Sequence, residues 1–200
     1  MSHRLFQHDV LFFQRLLAAE GLYRHALDGL WGRHTEAAAI AFEAQSADIR
    51  EALGEFDQRS EQMIRGLALR AQREARAFMR RLADHRLTVR IISGTRTYDE
   101  QNQLFRRGRF GNPGPVVTKA RGGRSNHNFG IAWDIGLFSA GGGYSLLEAH
   151  YIAAAREGMS PELEWGGDWP SFRDVPHYQL ALNLSLASVR KHFEAGRRYA

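Results

Sequence analysis

The stretch Ser125-Asn126-His127-Asn128-Phe129-Gly130-Ile131-Ala132-Trp133-Asp134 constrains this chain more than any other. A His and an Asp, each able to ligate a divalent cation, flank an apolar run at 129–133 that Gly130 interrupts. The run reads as a buried strand entered through a tight turn. His127 then falls in the loop before the strand, and Asp134 at or near its far end. A catalytic zinc site takes three protein ligands and keeps one position open. The best third candidate is His177, in Asp174-Val175-Pro176-His177. The chain has no cysteine, so only His, Asp and Glu can serve as metal ligands.

Around this stretch the pattern is helical first and mixed later. Residues 8–20 carry Val10, Leu11, Phe13, Leu16 and Leu17 on an amphipathic face that Gly21 ends. Thr35 is placed to cap a second helix through Ala38, Ile40 and Phe42. Residues 49–62 are polar and read as a linker. Residues 63–84 read as one long helix with Ile64, Leu67, Ala71, Ala75, Phe78 and Leu82 inward. Its other face carries Arg70, Arg73, Arg76 and Arg80 and is expected in solvent. Strands are expected at 87–92, 163–165 and 178–180, turns at 135–145, and helices from Thr97 or Asp99 through Phe105 and over 146–157. His150, alone on that last helix, is expected at the surface or in packing. The tail 185–200 reads as helical and basic.

Arg96, just after the first strand, has the planar fork that suits a carboxylate or a polarised carbonyl, and it equally suits a structural ion pair. Residues 106–124 form a long Gly-, Arg- and Pro-rich segment of the kind that becomes a binding loop or lid. Its cations are also the best case for nucleic-acid binding. Phe110 is its only aromatic residue, so a base-stacking platform is not indicated.

Three ordered motifs resemble a known family. Ser125, His127, Gly130, Ala132 and Asp134 match its Ser-x-His-x-x-Gly-x-Ala-x-Asp pattern. Asp174, Pro176 and His177 match Asp-x-Pro-His, and Ser93-Gly94-Thr95-Arg96-Thr97 is similar to its Ser-Gly-x-Arg-Ser segment. Gln101, Leu104 and Trp165-Gly166-Gly167 also fit. The pattern is that of the zinc peptidases of bacterial cell walls: D-Ala-D-Ala carboxypeptidases and phage-endolysin-like L-alanyl-D-glutamate endopeptidases. The resemblance spans about residues 65–183. It implies an α+β fold, with a small antiparallel sheet and flanking helices around a zinc site. It also implies Zn2+ held by His127, Asp134 and His177, with Asp174 as general base. Arg96 would bind substrate or the developing oxyanion. Ser125 would contact substrate or orient the His127 loop, and Gln103 is carried as a further substrate contact. Glu162 and Glu164 are rival bases. The expected substrate is the stem peptide of peptidoglycan. The Asp in Asp-x-Pro-His favours the endopeptidase over a D,D-carboxypeptidase, and a non-catalytic wall-binding protein is the alternative from another class.

Upstream, Gln14, Leu17, Gly21-Leu22-Tyr23, Asp28-Gly29, Trp31-Gly32, Thr35 and Phe42 are similar to a three-helix peptidoglycan-binding module. Tyr23 and Trp31 could stack on sugars or fill a small core. The expected organisation is a helical module at 1–50, a linker at 51–62 and a peptidase domain at 63–200. A formal net charge of +5 suits either solubility or an anionic polymer. No apolar run approaches the ~20 residues of a membrane span. The opening Met1-Ser2-His3-Arg4-Leu5-Phe6-Gln7 lacks the apolar core of a signal peptide. A monomer made in the cytoplasm and released or exported by another route is therefore expected.

Overall fold

The computed structural model describes residues 6–200. Residues 1–5 of the opening segment read above lie outside the described residues. The elements run α1 (Gln7–Ala19), α2 (Arg33–Leu53), α3 (Gln58–Arg65), α4 (Leu69–Arg81), β1 (Thr88–Ser93), α5 (Tyr98–Arg106), β2 (Ala132–Phe138), α6 (Glu148–Gly158), β3 (Leu163–Trp165), β4 (His177–Leu180) and α7 (Leu186–Glu194). The fold is α+β, as expected. Its four strands form one antiparallel sheet in the order β1-β2-β4-β3.

Alternation along the strands gives the sheet two different faces. Val89, Ile91, Trp133, Ile135, Leu137, Tyr178, Leu180, Leu163 and Trp165 are buried on one face. Phe78 of α4 packs there, 4.5 Å from Tyr178 and 6.2 Å from Trp133 between ring centroids. The other face carries Asp134, His177 and Gln179. Register sets Asp134 opposite His177 across β2 and β4, and opposite Ser93 across β1, where a bulge between Ile91 and Ser93 shifts the pairing. One hydrophobic cluster runs from Leu16, Leu17, Phe42 and Ile49 of the first helices through Phe78 to the sheet.

Several local expectations change in the folded chain. The helix expected over 63–84 is broken at 66–68. Ala68 N–H donates to Gly130 O at 2.9 Å and Leu69 N–H to Glu20 Oε1 at 2.9 Å. Tertiary acceptors thus take amides that a continuous helix would have used internally. The segment 51–62 contains the end of α2 and the start of α3, where Asp57 caps by accepting from Arg59 and Ser60 N–H. Thr35 is not the cap of α2, whose N-cap is Gly32. It is buried beside Gln14, whose amide also takes Asp28, Gly29 and Leu30 as partners and so pins that turn. Tyr23 is buried. Trp31 is partly exposed and stacks on Phe13. Residues 135–138, expected as turn, continue β2.

Arg76 departs furthest from expectation. It is 1% exposed rather than solvated, and its Nη1 and Nη2 each lie 2.7 Å from the Glu61 carboxylate. Burial alone would raise the Glu61 pKa, but the Arg76 fork and the Phe56 N–H bring it below 4.5. The pair's stability is therefore complete above the ordinary glutamate value and lost as pH falls through the lower native one. Glu61→Gln strands a buried guanidinium. It should cost about 3–5 kcal/mol in urea unfolding at neutral pH, with the gap to wild type narrowing in acid. An unchanged midpoint at neutral pH would refute this role for the pair.

Candidate metal centre and catalytic cleft

His127 stands in a 3-10 turn, Asn126–Phe129, rather than in an open loop. Gly130 follows with φ +67, and a Cβ added there would lie 2.9 Å from Ala68 N. Only glycine takes this conformation and close approach without strain. The strand starts at Ala132, so Asp134 is its third residue and not its far end. His177 opens β4. The three residues meet because the turn lies over the sheet where Asp134 and His177 are paired.

Their donor atoms converge. His127 Nε2 lies 3.2 Å from Asp134 Oδ1 and 3.2 Å from His177 Nδ1, and His177 Nδ1 lies 3.0 Å from Asp134 Oδ1. The surrounding hydrogen bonds decide which nitrogens carry protons. His127 Nδ1 lies 2.7 Å from Gly94 O, a carbonyl that can only accept, so the proton is on Nδ1 and Nε2 is bare. Gln179 Nε2 donates to the Glu164 carboxylate at 2.7 Å, which turns Gln179 Oε1 toward His177 Nε2 at 3.1 Å. A neutral His177 therefore carries its proton on Nε2 and presents a bare Nδ1. With both rings neutral, two imidazole lone pairs and a carboxylate oxygen face one point. Donors bonded at about 2.0–2.1 Å to a tetrahedral ion stand about 3.3 Å apart, so these residues fit a divalent cation and could hold one.

The local electrostatics agree with that use at His127 and Asp134; at His177 burial lowers the pKa but the Asp134 carboxylate outweighs it and raises it, so a bound ion would have to displace a proton there. Burial lowers the His127 pKa and keeps the ring neutral. Burial opposes ionisation of Asp134, but the two imidazoles overrule it and hold the carboxyl well below its ordinary value. Asp174 is pushed upward by burial and then by the Asp134 charge. Arg96 is pulled downward by burial, although Asp134 and Asp174 favour its charge. Its Nη2 lies 3.9 Å from Asp134 Oδ2, and its Nε has no partner among the described residues.

One cleft is lined by Arg96, Ser125, His127, Asp134, Asp174 and His177, bringing together, apart from the two rival bases, all but one of the residues given a site role from sequence. The exception is Gln103, which is exposed on α5 and outside the cleft lining. Its neighbour Gln101 points inward and ties Ala120 O to α5 at 2.9 Å. Neither rival carboxylate lines this cleft. Glu162 pairs with Arg70 at 2.6 Å, and Glu164 holds Gln179. Asp174 is fixed through its backbone, since its N–H donates to Gly166 O at 2.9 Å and its carbonyl accepts from His177 N–H at 3.0 Å. A Cβ on Gly166 would come within 2.5 Å of that carbonyl, which accounts for glycine after Trp165.

Sequence reasoning missed Gln179 and Asn128. Gln179 was reachable, because counting two residues on from His177 along a strand puts it on the same face. Asn128 is fully buried and joins three segments. It accepts from Gly123 N–H at 3.0 Å and donates to Arg96 O at 2.8 Å and Thr97 O at 3.3 Å. The loop 106–124 is anchored as well. Phe105 lies under the guanidinium groups of both Arg109 and Arg121, at 4.3 and 4.9 Å from its ring centroid.

Residues 118–180 match the peptidase M15 family described as D-alanyl-D-alanine carboxypeptidase. The matched segment holds His127, Asp134, Asp174 and His177. The chain is also 34% identical over 110 residues to the peptidoglycan L-alanyl-D-glutamate endopeptidase CwlK of Bacillus subtilis. That alignment covers 50% of this chain and 65% of the relative's length. Among solved structures it is similar to the L-Ala D-Glu endopeptidase ChiX of Serratia marcescens. The identity is 29% and the TM-score 0.46, over 63% of this chain and 89% of that one. Among the described residues no helix is long and apolar enough to cross a membrane.

Asn128→Ala leaves the buried Gly123 N–H and two carbonyls without their partner. It should cost about 1–3 kcal/mol in thermal or urea unfolding. A variant as stable as wild type would show that Asn128 does not hold these segments together.

Proposed function

We propose that this chain is a zinc-dependent peptidoglycan peptidase that hydrolyses the L-alanyl-D-glutamate bond of the stem peptide. The observation that carries the reading is the convergence of three potential ligand atoms, 3.0–3.2 Å apart, on a cleft that also holds a carboxylate and a guanidinium. The likeness to a peptidoglycan L-alanyl-D-glutamate endopeptidase supports the choice of bond. The family match, described as D-alanyl-D-alanine carboxypeptidase, supports the second reading, removal of terminal D-Ala.

His127, Asp134 and His177 would hold the ion. Bound zinc supplies Lewis acidity and brings the pKa of a coordinated water to about 7. Asp174, three residues before His177, accepts a proton from the attacking water and hands it to the leaving amine. Arg96 donates to the substrate carbonyl or a nearby carboxylate and favours the charge that develops there. Ser125 sits at the entry to the His127 turn and contacts substrate. Gly94 O and Gln179, itself turned by Glu164, fix the two imidazole tautomers. Residues 1–50 are proposed as a wall-binding helical module carried with the peptidase domain, where Trp31 is an exposed aromatic.

Purified peptidoglycan digested with and without a chelator, and analysed by mass spectrometry, tests the reading. Chelator-sensitive fragments with a free D-Glu amino terminus are expected. Loss of terminal D-Ala instead would move the assignment to carboxypeptidase, and no cleavage under any metal condition would refute the peptidase. Asp174→Asn should bind one equivalent of zinc while losing about 10²–10⁴ in rate. A fully active variant would remove Asp174 from the base role. Gln179→Leu frees the His177 tautomer and should weaken zinc affinity about 10–100-fold by competition titration.

A further inference from the structure

The basic loop divides its cations into two sets. Arg109 and Arg121 are spent on Phe105, and Arg109 Nη1 also donates to the carbonyls of Phe105 at 2.6 Å and Thr118 at 2.9 Å. Lys119 and Arg124 line the cleft instead. Neither forms an ion pair among the described residues. Lys119 Nζ reaches across to the opposite wall and stands 5.1 Å from the centroid of Phe172, two residues before Asp174. The charged residues lining the cleft are Arg96, Lys119 and Arg124 against Asp134 and Asp174. Arg96 lies near Asp134, and a divalent ion at the centre would only add positive charge. Three cations thus face two carboxylates, both of which act on Arg96, and Lys119 and Arg124 have no ion-pair partner, so the group missing beside them is an anion.

Resting on the endopeptidase reading above, we infer that Lys119 and Arg124 form a carboxylate-recognition subsite. It selects stem peptides whose γ-linked D-glutamate keeps its α-carboxylate free. In such a residue the amine released by hydrolysis and the α-carboxylate are borne by one carbon. A base at Asp174 that reaches this amine brings the carboxylate against the wall formed by Phe172 and Lys119. Arg124 adjoins Ser125 at the same cleft. The subsite reads charge, so it rejects the α-carboxamide form of an otherwise identical peptide, which leaves both cations unpaired.

The test uses two synthetic stem peptides that differ only in α-carboxylate or α-carboxamide on D-glutamate. Both are given to the zinc-loaded full chain, and their dissociation constants are measured on Asp174→Asn by calorimetry. Wild type should prefer the carboxylate by about tenfold or more in kcat/KM and in affinity. The double variant Lys119→Ala/Arg124→Ala should bring the two peptides within about threefold, through KM for the carboxylate peptide. Lys119→Arg should keep the preference. Both side chains are exposed, so these variants should melt as wild type does. Equal cleavage of both peptides by wild type would overturn the subsite and leave the endopeptidase reading intact. A preference that survives the double variant would overturn it too. Cleavage of neither peptide, with D-Ala release from intact stem peptides, would remove the endopeptidase reading and this inference together.

Discussion

The site depends on one strand register. Asp134 of β2 faces His177 of β4 across a single antiparallel pairing. A slip of one residue would turn Trp133 out of the core and Asp134 into it. The register is held from the core side, where Trp133, Ile135, Tyr178 and Leu180 are buried and Phe78 packs against two of them. The same hydrophobic burial that stabilises the sheet thus decides where two candidate ligands stand. Chemistry and stability occupy opposite faces of β2 and β4, so the residues of one need not compromise those of the other.

The third candidate ligand comes from outside the sheet and has to be held separately. Its turn is fixed at many points. Gly94 O orients the ring, Gly130 turns the chain, and Ala68 N–H binds Gly130 O. Tyr199 donates to Phe129 O at 2.6 Å, and Asn128 reaches Gly123, Arg96 and Thr97. Arg96 N–H in turn donates to His127 O at 3.1 Å, which couples the cleft-lining guanidinium to the turn. Side chains aimed at a cleft need this kind of support, because small angular errors at the backbone grow along the side chain.

Much of this was legible in the chain itself. Alternation marked β1, β3 and β4, and ligand chemistry marked His127, Asp134 and His177. Of Thr97 and Asp99, both able to start the next helix, Thr97 is the cap and forms a capping box with Glu100. What could not be read were features that depend on a distant partner. Arg76 looks solvated on its own helix and is buried only because Glu61 meets it. The apolar period over 63–84 runs on past Gly66, the residue that caps α3, and the break there is fixed by the distant acceptors Gly130 and Glu20. Gln103 and Gln101 are alike in type and two residues apart. Only the path of the loop at Ala120 distinguishes them.

The Phe105 clamp has a thermodynamic consequence. A long loop rich in glycine and arginine would ordinarily be ordered by its ligand, at a cost in conformational entropy set against affinity. Here two guanidinium groups on one ring, with the Arg109 bonds to Phe105 and Thr118 carbonyls, order the loop beforehand. That cost is met during folding. The loop behaves as a fixed wall, and a ligand entering the cleft keeps more of its interaction energy as binding.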